Sequence, residues 1–79
     1  VLPHPNHRIA SDGLSPQQCR ILAGMAQGML RSEVGEQLGL SIHTVRNHLI
    51  AIHRKLGAHN TTHAVALALV RGYITYQED

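Results

Sequence analysis

Between residues 14 and 72, apolar positions recur every three or four residues in four blocks, separated by short links that carry glycine or polar residues. That period is helical; a strand on a half-buried sheet would alternate. The clearest block runs from Gly35 to Leu56. Within it Val45, Leu49, Ile52 and Leu56 form one apolar stripe. His43, Arg46, Asn47, Ile50 and Arg54 fall on the other side. The spacing predicts two helices crossing at a tight turn, the second over about 42–56 with Ser41 as its N-cap. Gly39 suits the left-handed conformation of that turn. Gly35 costs its helix about 1 kcal/mol relative to Ala, which close approach of another helix would offset.

The remaining blocks complete a bundle. Ser15, Pro16 and Gln18 are the ingredients of a capped helix start, with Gln18 closing a capping box and Leu14 packing onto the first turn. Ile21, Leu22, Met25 and Ala26 form its stripe, and Gly28 ends it. A short second helix is expected from Arg31 or Ser32 to Leu38. Thr61 or Thr62 is expected to cap a fourth helix reaching about Arg71, stopped by Gly72. Tyr73 and Ile74 are placed to fold back on the core. Residues 1–13, with Pro3 and Pro5 and no helical period, read as a linker or arm, residues 14–76 as the domain and 77–79 as a tail. The fold class is all-α: a four-helix bundle containing a helix-turn-helix, with no strand signal.

Composition narrows the chemistry. The 79 residues are 43% hydrophobic without Phe or Trp, so Leu, Ile, Val, Ala and Met must fill a small core. The net charge is +2, a mild preference for anionic partners. Six of the seven basic residues are Arg, which suits forked recognition of phosphates and base edges. A single cysteine rules out an internal disulfide and points to a reducing compartment. No signal peptide or membrane span is visible.

On these residues the chain resembles the LuxR/GerE family of bacterial helix-turn-helix regulators from Leu14 to Ile74. The resemblance is carried by Leu14-Ser15, Ile21-Leu22, Gly28, Glu33-Val34, Leu38-Gly39-Leu40-Ser41, Thr44-Val45-Arg46-Asn47-His48, Ile52, Lys55-Leu56, Ala64-Val65, Gly72 and Ile74. It implies sequence-specific binding of double-stranded DNA in transcription regulation, with the third helix as recognition helix in the major groove. It also implies a bacterial, cytoplasmic, nucleoid-associated protein. Three positions depart from the family pattern. Leu30 stands where Ser or Thr usually caps the second helix, leaving Ser32 as a substitute after a shift of the helix start. Gly35 replaces a more usual Ala, and Gln18 a common Glu.

Arg can donate two bonds to guanine and Asn can pair with adenine, while an apolar group can lie against a thymine methyl. Arg46, Asn47, Ile50 and His43 are therefore the expected base contacts. Arg31, Ser32, Thr44, His48, Arg54 and Lys55 are the expected phosphate contacts, the flanking ones by analogy with the family. For His48, a half-buried ring bonded to a neighbouring carbonyl is an equal and compatible reading. Ala64 to Val70 is apolar throughout, more than a small bundle can cover. Ala66, Leu67 and Val70 are thus expected to face a second copy in a homodimer, as family members commonly pair.

Other classes fare worse. His43, His48 and His53 step by five and scatter around their helix, and His59 and His63 straddle a helix start, so neither a metal nor a cofactor is expected. No phosphate-cradling loop, carboxylate pair or Cys/His arrangement suggests an enzyme, and Cys19 reads as a packing residue. No small-molecule ligand is expected. The rival is a helix-turn-helix scaffold serving as a protein-interaction module, sigma-factor-like or dependent on RNA polymerase for its DNA contact.

Overall fold

The computed structural model describes residues 13–76, so the expected arm, apart from Gly13, and the tail over 77–79 lie outside it. Four helices follow in order: α1 (Pro16–Ala26), α2 (Arg31–Leu38), α3 (Ile42–Leu56) and α4 (Thr61–Val70). The described residues contain no strand. The expected all-α fold is what forms.

The helix starts follow local chemistry. Ser15 Oγ accepts from the Gln18 amide at 3.1 Å, and Gln18 Oε1 accepts from the Ser15 amide at 3.0 Å, the reciprocal capping box. Ser41 caps α3 by accepting from the Thr44 amide at 3.0 Å. Two expectations need correction. The cap of α4 is Asn60, not Thr61 or Thr62: its Oδ1 accepts from the His63 amide at 2.8 Å. Asn60 reaches that amide because it sits just outside the helix in extended backbone, whereas Thr61 is already helical. Nor does Ser32 replace the missing cap of α2, which starts at Arg31 with Leu30 as N-cap. Instead Glu33 reaches back, its Oε1 accepting from the Leu30 amide at 2.7 Å. A carboxylate in the first turn also suits the positive end of the helix dipole.

Each helix is followed by a glycine of positive φ: Gly28, Gly39, Gly57 and Gly72. At Gly39 the geometry matters most, because it reverses the chain between α2 and α3. With φ of 73° it lets its own amide reach Glu36 O at 3.4 Å and the Leu40 amide reach Gly35 O at 2.7 Å. Two otherwise orphaned carbonyls are satisfied in one turn.

The core is one cluster drawn from every helix. Ile21, Leu22, Val34, Val45, Ile52 and Ile74 are at most 1% exposed, with Ala64 and Ala68 beneath them from α4. Ile74 folds back as expected, and Tyr73 packs against the cluster, its amide bonded to Ala68 O at 2.8 Å. Close helix packing depends on two small residues. A Cβ on Gly24 would lie 2.9 Å from Val34 Cγ2, so α1 and α2 cross there. A Cβ on Gly35 would lie 2.6 Å from Leu40 O and 3.3 Å from Val45 Cγ2. The close approach expected at Gly35 is real, though its tightest partner is the turn backbone and not a helix side chain. Cys19 is 1% exposed, and burial raises its thiol above the usual range while Arg20 opposes the shift. No helix of the described residues is long and apolar enough to cross a membrane.

Candidate nucleic-acid interface

The stripe of α3 and its opposite face separate cleanly. Val45, Leu49, Ile52 and Leu56 are buried, whereas His43, Arg46, Asn47, Ile50 and Arg54 are exposed. This exposed row runs the length of a fifteen-residue helix held by α1, α2 and α4. It therefore presents a rigid edge of donors, with Ile50 46% exposed among them. All four expected base-contact residues share this surface.

The expected phosphate contacts divide. Arg31 and Ser32 are exposed in the first turn of α2, where backbone amides favour anions. Thr44 is half-buried; its Oγ1 accepts from Ser41 Oγ at 3.0 Å, which leaves its own hydroxyl proton to donate outward. His48 is half-buried, and among the described residues its ring forms no side-chain hydrogen bond. Arg54 is exposed in the last turn of α3, where it and Lys55 complement the negative end of the helix dipole. Lys55 is different. Its Nζ donates to Gln18 Oε1 at 3.0 Å and to Gly13 O at 3.3 Å, tying the end of α3 to the start of α1. Gln18 is 5% exposed and Lys55 is exposed, so the bond ties the two helices together at the edge of the core.

Next to this exposed row lies a shallow depression that periodicity did not reveal. Arg31, Ile42, His43 and Arg46 line it. Ile42 is 59% exposed. Its three-residue offset from Val45 matches the buried stripe, yet as the first residue of α3 it stands beyond the reach of the core. No pattern in the sequence separates it from its buried neighbours.

Of the three residues expected to face a second copy, Ala66 and Val70 are exposed and Leu67 is half-buried. Ala64 and Ala68 are buried, and Val65 and Leu67 are half-buried against the core. Leu67 therefore does not belong to the free surface. The exposed apolar residues of α4 are Ala66, Leu69 and Val70, the last 84% exposed. Periodicity could not orient a helix that is apolar all round.

Three histidines gather near the start of α4. His53 Nε2 lies 3.1 Å from Thr61 Oγ1, and burial, with Arg31 nearby, lowers the imidazole below its usual range. The His59 amide donates to His63 Nδ1 at 3.1 Å, and the two rings stack with centroids 5.3 Å apart. Among the described residues no three His, Cys, Asp or Glu are arranged to hold a metal ion.

Comparison with known proteins places this architecture. Residues 12–68 match the family of bacterial regulatory proteins described as luxR family. The chain is 40% identical over 67 residues to the transcriptional activator protein BjaR1 of Bradyrhizobium diazoefficiens, covering 85% of this chain and 26% of that protein. It is 44% identical over 66 residues to the quorum sensing-dependent transcriptional regulator RpaR of Rhodopseudomonas palustris, covering 84% and 27%. It is 34% identical over 62 residues to the transcriptional regulatory protein YdfI of Bacillus subtilis, covering 78% and 29%. The chain thus spans between a quarter and a third of the length of these curated relatives.

Proposed function

This chain belongs to the luxR family of bacterial regulatory proteins, and we propose that it binds double-stranded DNA in transcription regulation, with α3 as recognition helix in the major groove. One observation carries the reading: an exposed row of His43, Arg46, Asn47 and Ile50 on a helix whose opposite face is fully buried. Arg46 and Asn47 supply bidentate pairing with guanine and adenine, and Ile50 an apolar contact. Arg31, Ser32, Thr44, His48 and Arg54 are assigned to phosphates, which set register and not sequence. Lys55, already bonded to Gln18 and Gly13, is assigned to the frame of the domain.

A single copy offers few cations, with a net charge of +2. Pairing through Ala66, Leu69 and Val70 of α4 would bring two recognition helices to related half-sites and double the contacts. The test is fluorescence anisotropy with duplexes selected from a random library, titrated over salt. Log affinity should fall linearly with log salt, by about 0.9 for each phosphate neutralised by Lys or Arg. Binding that is absent at low ionic strength would remove this reading in favour of the protein-interaction module.

A further inference from the structure

We propose that Ile42 is a specificity-determining residue that reads the 5-methyl group of a thymine, in a depression where Arg31 holds the flanking backbone and Arg46 reaches a neighbouring base. The inference rests on the DNA-binding reading above and deepens it.

Ile42 is the first residue of α3 and is 59% exposed, among the most exposed large apolar side chains of the described residues. The first residues of a recognition helix lie nearest the base edges when its N-terminus enters the groove. Around Ile42 stand Arg46 and His43 from α3 and Arg31 from the first turn of α2. The surface is thus an apolar centre with cationic groups on its rim. No carboxylate lines it, and the nearby Glu33 is turned back onto the Leu30 amide. An acidic or purely apolar protein partner would use only half of these features. Nucleic acid uses both: a phosphate meets Arg31, the acceptor edge of a neighbouring guanine meets Arg46, and the one apolar group on the major-groove edge of a base pair is the thymine methyl.

Ile42 and Ile50 are eight residues apart on one helix, about 12 Å along its axis. They cannot read the same methyl group. Ile50 serves the middle of the exposed row, and Ile42 a different base pair toward the N-terminus of α3.

The test uses the full 79-residue chain and a duplex selected from a random library. Each thymine is replaced in turn by deoxyuridine, which removes only the methyl group. At one position the replacement should weaken wild-type binding about fourfold, the effect of burying a single methyl group. Ile42→Ala should bind thymine and uracil equally at that position, while Ile50→Ala keeps the difference there. Because Ile42 is exposed, the thermal midpoint of Ile42→Ala should match that of the wild type. Arg31→Ala should flatten the salt dependence without changing the thymine preference. If Ile42→Ala retains every thymine effect, or weakens all duplexes equally, Ile42 does not read a methyl group, and salt-sensitive binding would leave the wider DNA-binding reading intact. If no duplex binds at low salt, both readings fall together.

Discussion

The carbonyl oxygen of Leu40 stands 2.6 Å from where a Cβ on Gly35 would sit, and the Leu40 amide donates to Gly35 O at 2.7 Å. The turn between α2 and α3 is therefore closed directly onto a residue without a side chain. Gly35→Ala gains about 1 kcal/mol of helix propensity. It also drives a methyl group into turn backbone that cannot swing aside, and overpacking of this kind typically costs about 1–3 kcal/mol. The net expectation is a destabilisation of about 1 kcal/mol. Urea denaturation of the two proteins measures it. A more stable Gly35→Ala variant would mean that the turn relaxes freely.

Gln18 links the α1 capping box to Lys55, since its Oε1 takes both the Ser15 amide and the Lys55 ammonium at 3.0 Å. A carboxylate fits this site better than an amide. Gln18→Glu would place a negative charge at the positive end of α1 and opposite a lysine already in position. Its burial is offset by those two partners. The expected gain is about 0.5–1 kcal/mol at neutral pH. It should vanish on acidification, because the paired carboxylate titrates below its unfolded value and the gain is lost as pH falls through the folded one. An unchanged thermal midpoint at pH 7 would count against the pairing.

What the sequence made legible follows from physical range. The α1 capping box, the Gly39 turn and the α3 stripe are each written in residues no more than four positions from the next, and all three form. The row of Arg46, Asn47 and Ile50 was readable for the same reason, once the stripe fixed the helix orientation. Three features depended on distant parts of the chain. Lys55 bonds to residues 37 and 42 positions away, so no local pattern shows it as a tie between helices. Ile42 fits the stripe by spacing and is exposed only because the core ends before it. In α4 every position from Ala64 to Val70 is apolar, and only the packed bundle decides that Leu67 turns inward while Leu69 and Val70 remain outside.

That division on α4 separates two substitutions which look alike in sequence. Leu67→Glu puts a charge against the core and should destabilise the fold itself, by about 2 kcal/mol or more. Val70→Glu changes a side chain that is 84% exposed and should leave the thermal midpoint within a degree or two. If α4 pairs two copies, Val70→Glu should nevertheless abolish self-association in sedimentation and weaken binding to a two-half-site duplex. Intact self-association in that variant would move the interface elsewhere.

Arg46 and Arg54 should also separate by role. Arg46→Ala is expected to cost about 1–3 kcal/mol on the selected duplex and to relax preference at one base pair. Arg54→Ala should weaken all duplexes alike and lower the salt slope by about 1. Competition binding with single-base variants of the site distinguishes the two patterns. Equal loss on every sequence for both variants would place Arg46 on phosphate.

His53 makes stability depend on pH, with a sign set by its surroundings. Burial is the larger cause of its lowered pKa, and the charge of Arg31 adds to it. The folded protein therefore holds this proton less tightly than the unfolded chain, whose imidazole titrates near pH 6.5, about the ordinary value. Above that value both states are neutral and His53 contributes its full share of stability. As pH falls through the lowered folded value, the unfolded chain has already gained a proton that the folded protein must take up at a cost, so stability declines. Protonation also leaves Nε2 only able to donate, which fixes one direction for the 3.1 Å bond to Thr61 Oγ1. His53→Gln keeps a polar group near Thr61 and removes the titration. Denaturation midpoints at pH 8 and pH 5.5 should therefore differ less in His53→Gln than in the wild type. His59 and His63 are present in both proteins and cancel in the comparison. An identical pH dependence in the two would assign the acid sensitivity to other groups.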